Sequence, residues 1–160
     1  MKYPDQAQRP AQFGLSLLLL CSLILVVEPA SGQLAEIYSG TIYRIVTGLL
    51  AASLLVAQWS LLNSRGATPQ SARKRMIRHY WLGAAAPLFL LAHATSAGYG
   101  YQSALAWAYV ANCGLGLMAP MIPTRSGSAW PRAWMPMHII GALLVTALVL
   151  IHIVVVFRYN

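Results

Sequence analysis

The sequence predicts an all-α protein, an integral-membrane helical bundle of about five transmembrane helices. Three observations predict it. Of the 160 residues 58% are apolar and only 9% are charged, where a soluble domain carries roughly a quarter charged residues. The apolar residues form five runs, and about 20 apolar residues suffice for one helical crossing of a bilayer. The Lys and Arg residues, 11 in all, gather mainly in the connections between those runs. A net charge of +8 thus reads as topology and contact with membrane lipid, and no nucleic acid is expected as a partner, because no folded basic face is formed. The length leaves room for a single transmembrane domain over 1–160 and for no separate soluble one.

The first helix is expected over about 13–28, preceded by Lys2 and Arg9 and followed by Glu28-Pro29-Ala30-Ser31-Gly32. This stretch has the layout of a signal peptide and is taken as an uncleaved spanning helix. The second covers about 42–62, with Arg44 near its start and Asn63-Ser64-Arg65-Gly66 at its end, a run of helix-stopping residues. A polar, basic loop follows to Arg78. The third helix is expected over 79–98, stopped at Gly98-Tyr99-Gly100-Tyr101, and the fourth over 104–121, rich in the small residues that let membrane helices pack closely. After a Pro/Ser/Trp loop whose Trp130 and Trp134 suit the headgroup layer, the fifth runs over 137–157, with Pro136 at its entry.

Basic residues in short loops set the orientation. In the five-helix arrangement Lys2, Arg9, Arg65, Arg73, Lys74, Arg75, Arg78, Arg125 and Arg132 fall on one side, and Arg44 and Arg158 on the other. The N-terminus is therefore expected in the cytoplasm, in what is read as a bacterial cytoplasmic (inner) membrane, and helices three and five both run outward. The basic stretch Arg73 to Arg78 is chiefly a topological signal, with an acidic cytoplasmic partner as a further use.

The chain has 4 histidines. His79 and His93 lie on the third helix, and His138 and His152 on the fifth, with the same spacing of 14 residues. That spacing is close to four helical turns, so both histidines of a helix share a face, about 21 Å apart. On parallel helices His79 meets His138 at the cytoplasmic level and His93 meets His152 at the outer level. A lone intramembrane histidine is commonly a packing residue; four in two matched pairs point to ligation. Members of one helix are too distant to share an ion and no intramembrane carboxylate joins them, which disfavours zinc or a di-metal site. Two haem b groups, each with two axial imidazoles, fit best, and closing both axial positions favours electron transfer. Cys21 and Cys113 belong to no CxxC or CxxCH motif, so covalent haem attachment is not expected.

Gly83 and Gly141, with Ala86 and Ala142, are read as small residues beside a porphyrin, and Pro87 as a kink between levels. Arg78, Arg132 and Arg75 at the inner level, and Arg44 at the outer, are read as propionate partners. Tyr43, Tyr99, Tyr101, Trp107 and Tyr109 are read as an interfacial belt rather than a haem lining, and Asn112 as a helix-packing hydrogen-bond donor or acceptor. No bond-making catalytic residue is expected.

The stretches His79-Tyr-Trp-Leu-Gly83 with His93, and His138-Ile-Ile-Gly141 with His152, resemble the transmembrane di-haem cytochrome b module of the ferric reductase and NADPH oxidase superfamily, and small bacterial cytochrome b proteins. The resemblance covers about half the chain, helices three to five. It implies that the four histidines hold two b haems that carry electrons across the membrane. No PEWY-like quinol-oxidation motif is present, and no flavin or nicotinamide domain follows helix five. The expected role is therefore a transmembrane electron-transfer subunit of an oxidoreductase complex. It would work with other redox subunits, a periplasmic cytochrome or dehydrogenase, or quinone. Two rival readings remain: a membrane anchor or assembly subunit with structural haem, and a small transporter or proton channel using histidines as a relay.

Overall fold

A computed structural model of the chain describes residues 5–27, 33–62, 68–121 and 130–159, with side chains for 8–27, 36–61, 68–120 and 133–159. All of its regular structure is helical: α1 (Asp5–Val27), α2 (Gln33–Ser39), α3 (Thr41–Leu62), α4 (Pro69–His93), α5 (Tyr101–Met118) with a 3-10 turn at Ala119–Met121, and α6 (Trp130–Tyr159). Lys2, Arg65 and Arg125 lie outside the described residues.

The helix ends follow local chemistry. Thr68 stands in extended conformation before α4 and its hydroxyl accepts the Ser71 N–H at 3.3 Å, while Pro69 fills the first helical position, where its missing N–H costs nothing. The helix therefore begins at Pro69, not at His79, and the basic stretch Arg73 to Arg78 is helical rather than a loop. It ends at His93, not at residue 98, because Ala94 turns to extended backbone at φ −142°, its N–H still bonded to the Leu90 carbonyl at 2.8 Å. Gly98 and Gly100, at φ +67° and +56°, turn the chain into α5 in a backbone region that side chains resist. Helix α6 starts at Trp130, which puts Trp130 and Trp134 on a helix and Pro136 inside it.

Helix α1 lies against α4 and α5, α3 against α4, and α6 against α5. Small residues permit the closest approach: a Cβ added to Gly14 of α1 would lie 2.8 Å from Ala84 Cα of α4. Around that crossing Leu18, Ala84 and Leu117 form a buried cluster with Leu15, Val110 and Cys113 beside it. Among the described residues α4 and α6 do not form a packed pair; α6 reaches the other helices through α5 and through long side chains. One such link is the Trp59 indole N–H of α3, which donates to the Thr146 hydroxyl of α6 at 3.0 Å.

Among the described residues three helices are long and apolar enough to cross a membrane: Gln8–Val27, Thr41–Leu61 and Ala133–Tyr159. Their outward faces are greasy. On α6, Ile140, Leu143, Leu150, Val154 and Phe157 are all exposed, a surface that suits lipid and would be costly in water.

Candidate functional site

The two helices that do not pack on each other carry the four histidines, and their rings meet across the gap. His79 of α4 faces His138 of α6 with ring centroids 6.3 Å apart and planes at 80°. His93 faces His152 with centroids 6.0 Å apart and planes at 86°. Because each helix presents its histidines at equal spacing and the pairs match in order, α4 and α6 run in the same direction.

The spacing has a chemical meaning. A metal–imidazole bond of about 2.0 Å on each side, plus roughly 1.1 Å from ring nitrogen to ring centre, puts two imidazoles on one metal with centroids about 6 Å apart. Edge-to-face ring contact also falls at about 4.5–7 Å, so what favours shared ligation is the recurrence of the spacing in both pairs. Among the described residues no three His, Cys, Asp or Glu side chains come together, so each pair can offer a metal two imidazoles and no third side-chain ligand of these types. A planar group that fills its own equatorial positions matches that donor set. The Nδ1 atoms of His79, His138 and His152 are buried and have no hydrogen-bond partner among the described residues, an arrangement that calls for something further to satisfy the pairs.

Neighbouring helices supply the space. A Cβ on Gly48 of α3 would come 3.0 Å from Cε1 of His93, and one on Gly116 of α5 would come 2.9 Å from Cε1 of His138. These two glycines lie on helices without a histidine, and the sequence reading missed them. The glycines it singled out do other work. Gly83 faces the Gln58 amide of α3, whose nitrogen would lie 3.5 Å from a Cβ there, and Gly141 lets α6 come within 2.6 Å of the Asn112 Oδ1 by the same measure. Asn112 is thus at the α5–α6 contact, but its Oδ1 is buried with no hydrogen-bond partner among the described residues. Nothing in the sequence marks Gly48 or Gly116 as a ring contact, since each sits in an apolar run on a helix that carries no histidine.

The His93–His152 pair, called outer after its expected level, is anchored from α2 and α3. Helix α4 ends on His93, which leaves its last carbonyls without helical partners. The Tyr38 hydroxyl donates to the Leu91 carbonyl at 3.0 Å and the Tyr43 hydroxyl to the Ala92 carbonyl at 2.7 Å. One turn on, Thr47 Oγ1 lies 3.1 Å from His93 Nδ1. Tyr101 packs near His152, with ring centroids 6.1 Å apart. Tyr43, Tyr101 and Tyr109, whose hydroxyl donates to the Ala86 carbonyl at 3.1 Å, therefore face the bundle interior, whereas Tyr99 is 90% exposed, as a belt residue would be.

At the inner pair the Trp134 ring stacks on His138, planes 6° apart, and its N–H donates to the Leu115 carbonyl at 2.6 Å. The 3-10 turn explains that carbonyl: the Ala119 N–H bonds Gly116 instead, so Leu115 is left for the indole. Trp134 thus packs on His138 and beside Tyr80 and Ala119.

The arginines are less committed. The Arg44 Nε donates to the Tyr38 carbonyl at 2.8 Å on an exposed side chain one turn before Thr47, which puts it at the level of the outer pair. Arg78 is exposed next to His79, and the Arg132 side chain lies outside the described residues. No family model matches the chain, and neither a curated protein nor a solved structure does.

Proposed function

We propose that the chain is a transmembrane electron-transfer subunit, a di-haem b-type cytochrome that passes electrons between redox partners, or quinone, on the two sides of a membrane. The observation that carries this reading is the pair of histidine pairs, each about one metal's width apart, in the gap between α4 and α6. The resemblance of the two histidine stretches to the ferric reductase and NADPH oxidase module supports it from the sequence.

In this reading α1, α3, α4, α5 and α6 all cross the membrane, with the N-terminus in the cytoplasm of a bacterial cell. Helices α4 and α5 pack against α1 and against each other through small and apolar residues such as Ala84, Val110 and Leu117. His79 and His138 hold one haem, and His93 and His152 the other, each residue donating one ring nitrogen. Two b haems, when bound, supply reversible one-electron transfer at two depths of the membrane. The remaining residues position the ligands: Gly48 and Gly116 make room for imidazoles, Trp134 holds the His138 ring by its face, and Tyr38 and Tyr43 fix the last turn of α4. No side chain has to make or break a bond.

Pyridine haemochrome analysis and a dithionite-reduced spectrum of the protein purified from membranes are expected to give two b haems per chain. His93→Ala and His152→Ala are each expected to lose one haem, the same one, and keep the other. A wild-type protein that carries fewer than two haems would sink the proposal and return the anchor and proton-relay readings to the front.

A further inference from the structure

Thr47 lies in α3, buried at 8% exposure, and its hydroxyl is engaged on both sides. Oγ1 is 2.8 Å from the Tyr43 carbonyl, a helical back-bond, and 3.1 Å from Nδ1 of His93. A threonine has one hydroxyl hydrogen. With that hydrogen on the Tyr43 carbonyl, or on the more distant Arg44 carbonyl at 3.3 Å, the oxygen is left to accept. Nδ1 of His93 must then carry the ring proton, and the lone pair stands at Nε2. None of the other three histidines has such a partner at Nδ1 among the described residues. Gly48, the next residue, lies against the same ring, so α3 both seats His93 and fixes its tautomer.

We propose that Thr47 is a positioning residue that presents His93 Nε2 as a metal ligand and makes the outer pair electronically distinct from the inner one. The inference rests on the reading of the two pairs as axial haem ligands. A ring that donates from Nδ1 to an acceptor gains electron density at Nε2 and becomes a stronger donor. A stronger axial donor favours the ferric over the ferrous iron, so the hydrogen bond holds down the reduction potential of the haem at His93 and His152 and leaves the haem at His79 and His138 untouched. Val matches the shape of Thr and removes only the hydroxyl, while the Arg44 backbone, which also hydrogen-bonds His93, stays in place.

Redox titration and low-temperature EPR of the purified holoprotein test this. In Thr47→Val the ferrous-to-ferric ratio of the outer haem at a fixed ambient potential is expected to rise about tenfold, about 59 mV for a one-electron couple, with its EPR g-values displaced and the inner haem unchanged. Thr47→Ser, which restores the hydroxyl, is expected to match wild type in both readouts. Loss of the outer haem alone in Thr47→Val, with Thr47→Ser retaining both, supports the same role through weakened ligation. Unchanged potentials in Thr47→Val, an equal shift of both haems, loss of both haems in Thr47→Val, or a Thr47→Ser that behaves like Thr47→Val would each overturn it. If the wild-type protein itself contains no haem, the reading of the pairs has failed before Thr47 is reached, and the two failures are told apart by the haemochrome assay.

Discussion

Beside His138 there is room for a hydrogen atom and little more, since a Cβ on Gly116 would come 2.9 Å from Cε1. Gly116→Ala must therefore push the imidazole or tilt α5. The expected result is loss or displacement of the inner haem with the outer one kept, and a stability loss of about 1–3 kcal/mol, the range typical of overpacking; reduced-minus-oxidised spectra and thermal unfolding in detergent measure the two. The histidine pairs themselves could be read from spacing, because a 3.6-residue period fixes which side chains share a face whatever surrounds the helix. The glycines could not. Which glycine meets a ring depends on how α3 and α5 are rotated about their own axes, and no periodicity on the histidine helices carries that information. Gly83 and Gly141, three or four residues from a histidine on the same helix, face Gln58 and Asn112 instead.

Helix limits were legible where the chain announced them in backbone terms and obscure where polarity misled. Thr68-Pro69 is a start signal in the sequence, yet the run Arg73 to Arg78 reads as loop on charge alone, although Arg and Lys are good helix formers. At the other end the turn glycines 98 and 100 mark where α5 can begin, not where α4 stops. What stops α4 at His93 is tertiary: tyrosine hydroxyls from α2 and α3 take the carbonyls that another turn of helix would have used. Tyr43→Phe removes one of these donors from a partly buried carbonyl and is expected to cost about 1 kcal/mol. Its effect should concentrate in the last turn of α4, seen as faster amide hydrogen exchange at 90–93 and heterogeneity of the outer haem's EPR signal, with the inner signal sharp. Uniform broadening of both signals would argue against a local clamp.

At the scale of the molecule, composition alone announced a membrane protein, and three helices have the length and apolarity to cross. The proposed five-crossing arrangement makes a testable claim about sidedness. In a background where Cys21 and Cys113 are replaced by Ser, a cysteine at Ser39, in α2, is expected to react with a membrane-impermeant maleimide added outside intact cells. One at Gln70, in the first turn of α4, is expected to react only after the membrane is opened. The reverse pattern would invert the bundle, and labelling of both from outside would remove α3 from the membrane. The sequence could not show the central place of α1, whose Gly14 meets Ala84, because nothing in an apolar run with weak periodicity says which neighbour its small residues face.

The unpacked seam between α4 and α6 carries a consequence for the life of the protein in the cell. Helix α6 is attached through α5 and a few reaching side chains such as Trp59 and Trp134, and it meets α4 chiefly through the facing imidazole rings and Trp134 beside Tyr80. A prosthetic group seated there acts as a keystone, and its binding free energy adds to that of holding the last helix in place. If the proposed haems are what fill the seam, chains made while haem is scarce would keep a loosely held C-terminal helix open to membrane proteases, and the surviving amount of protein would track the supply of cofactor.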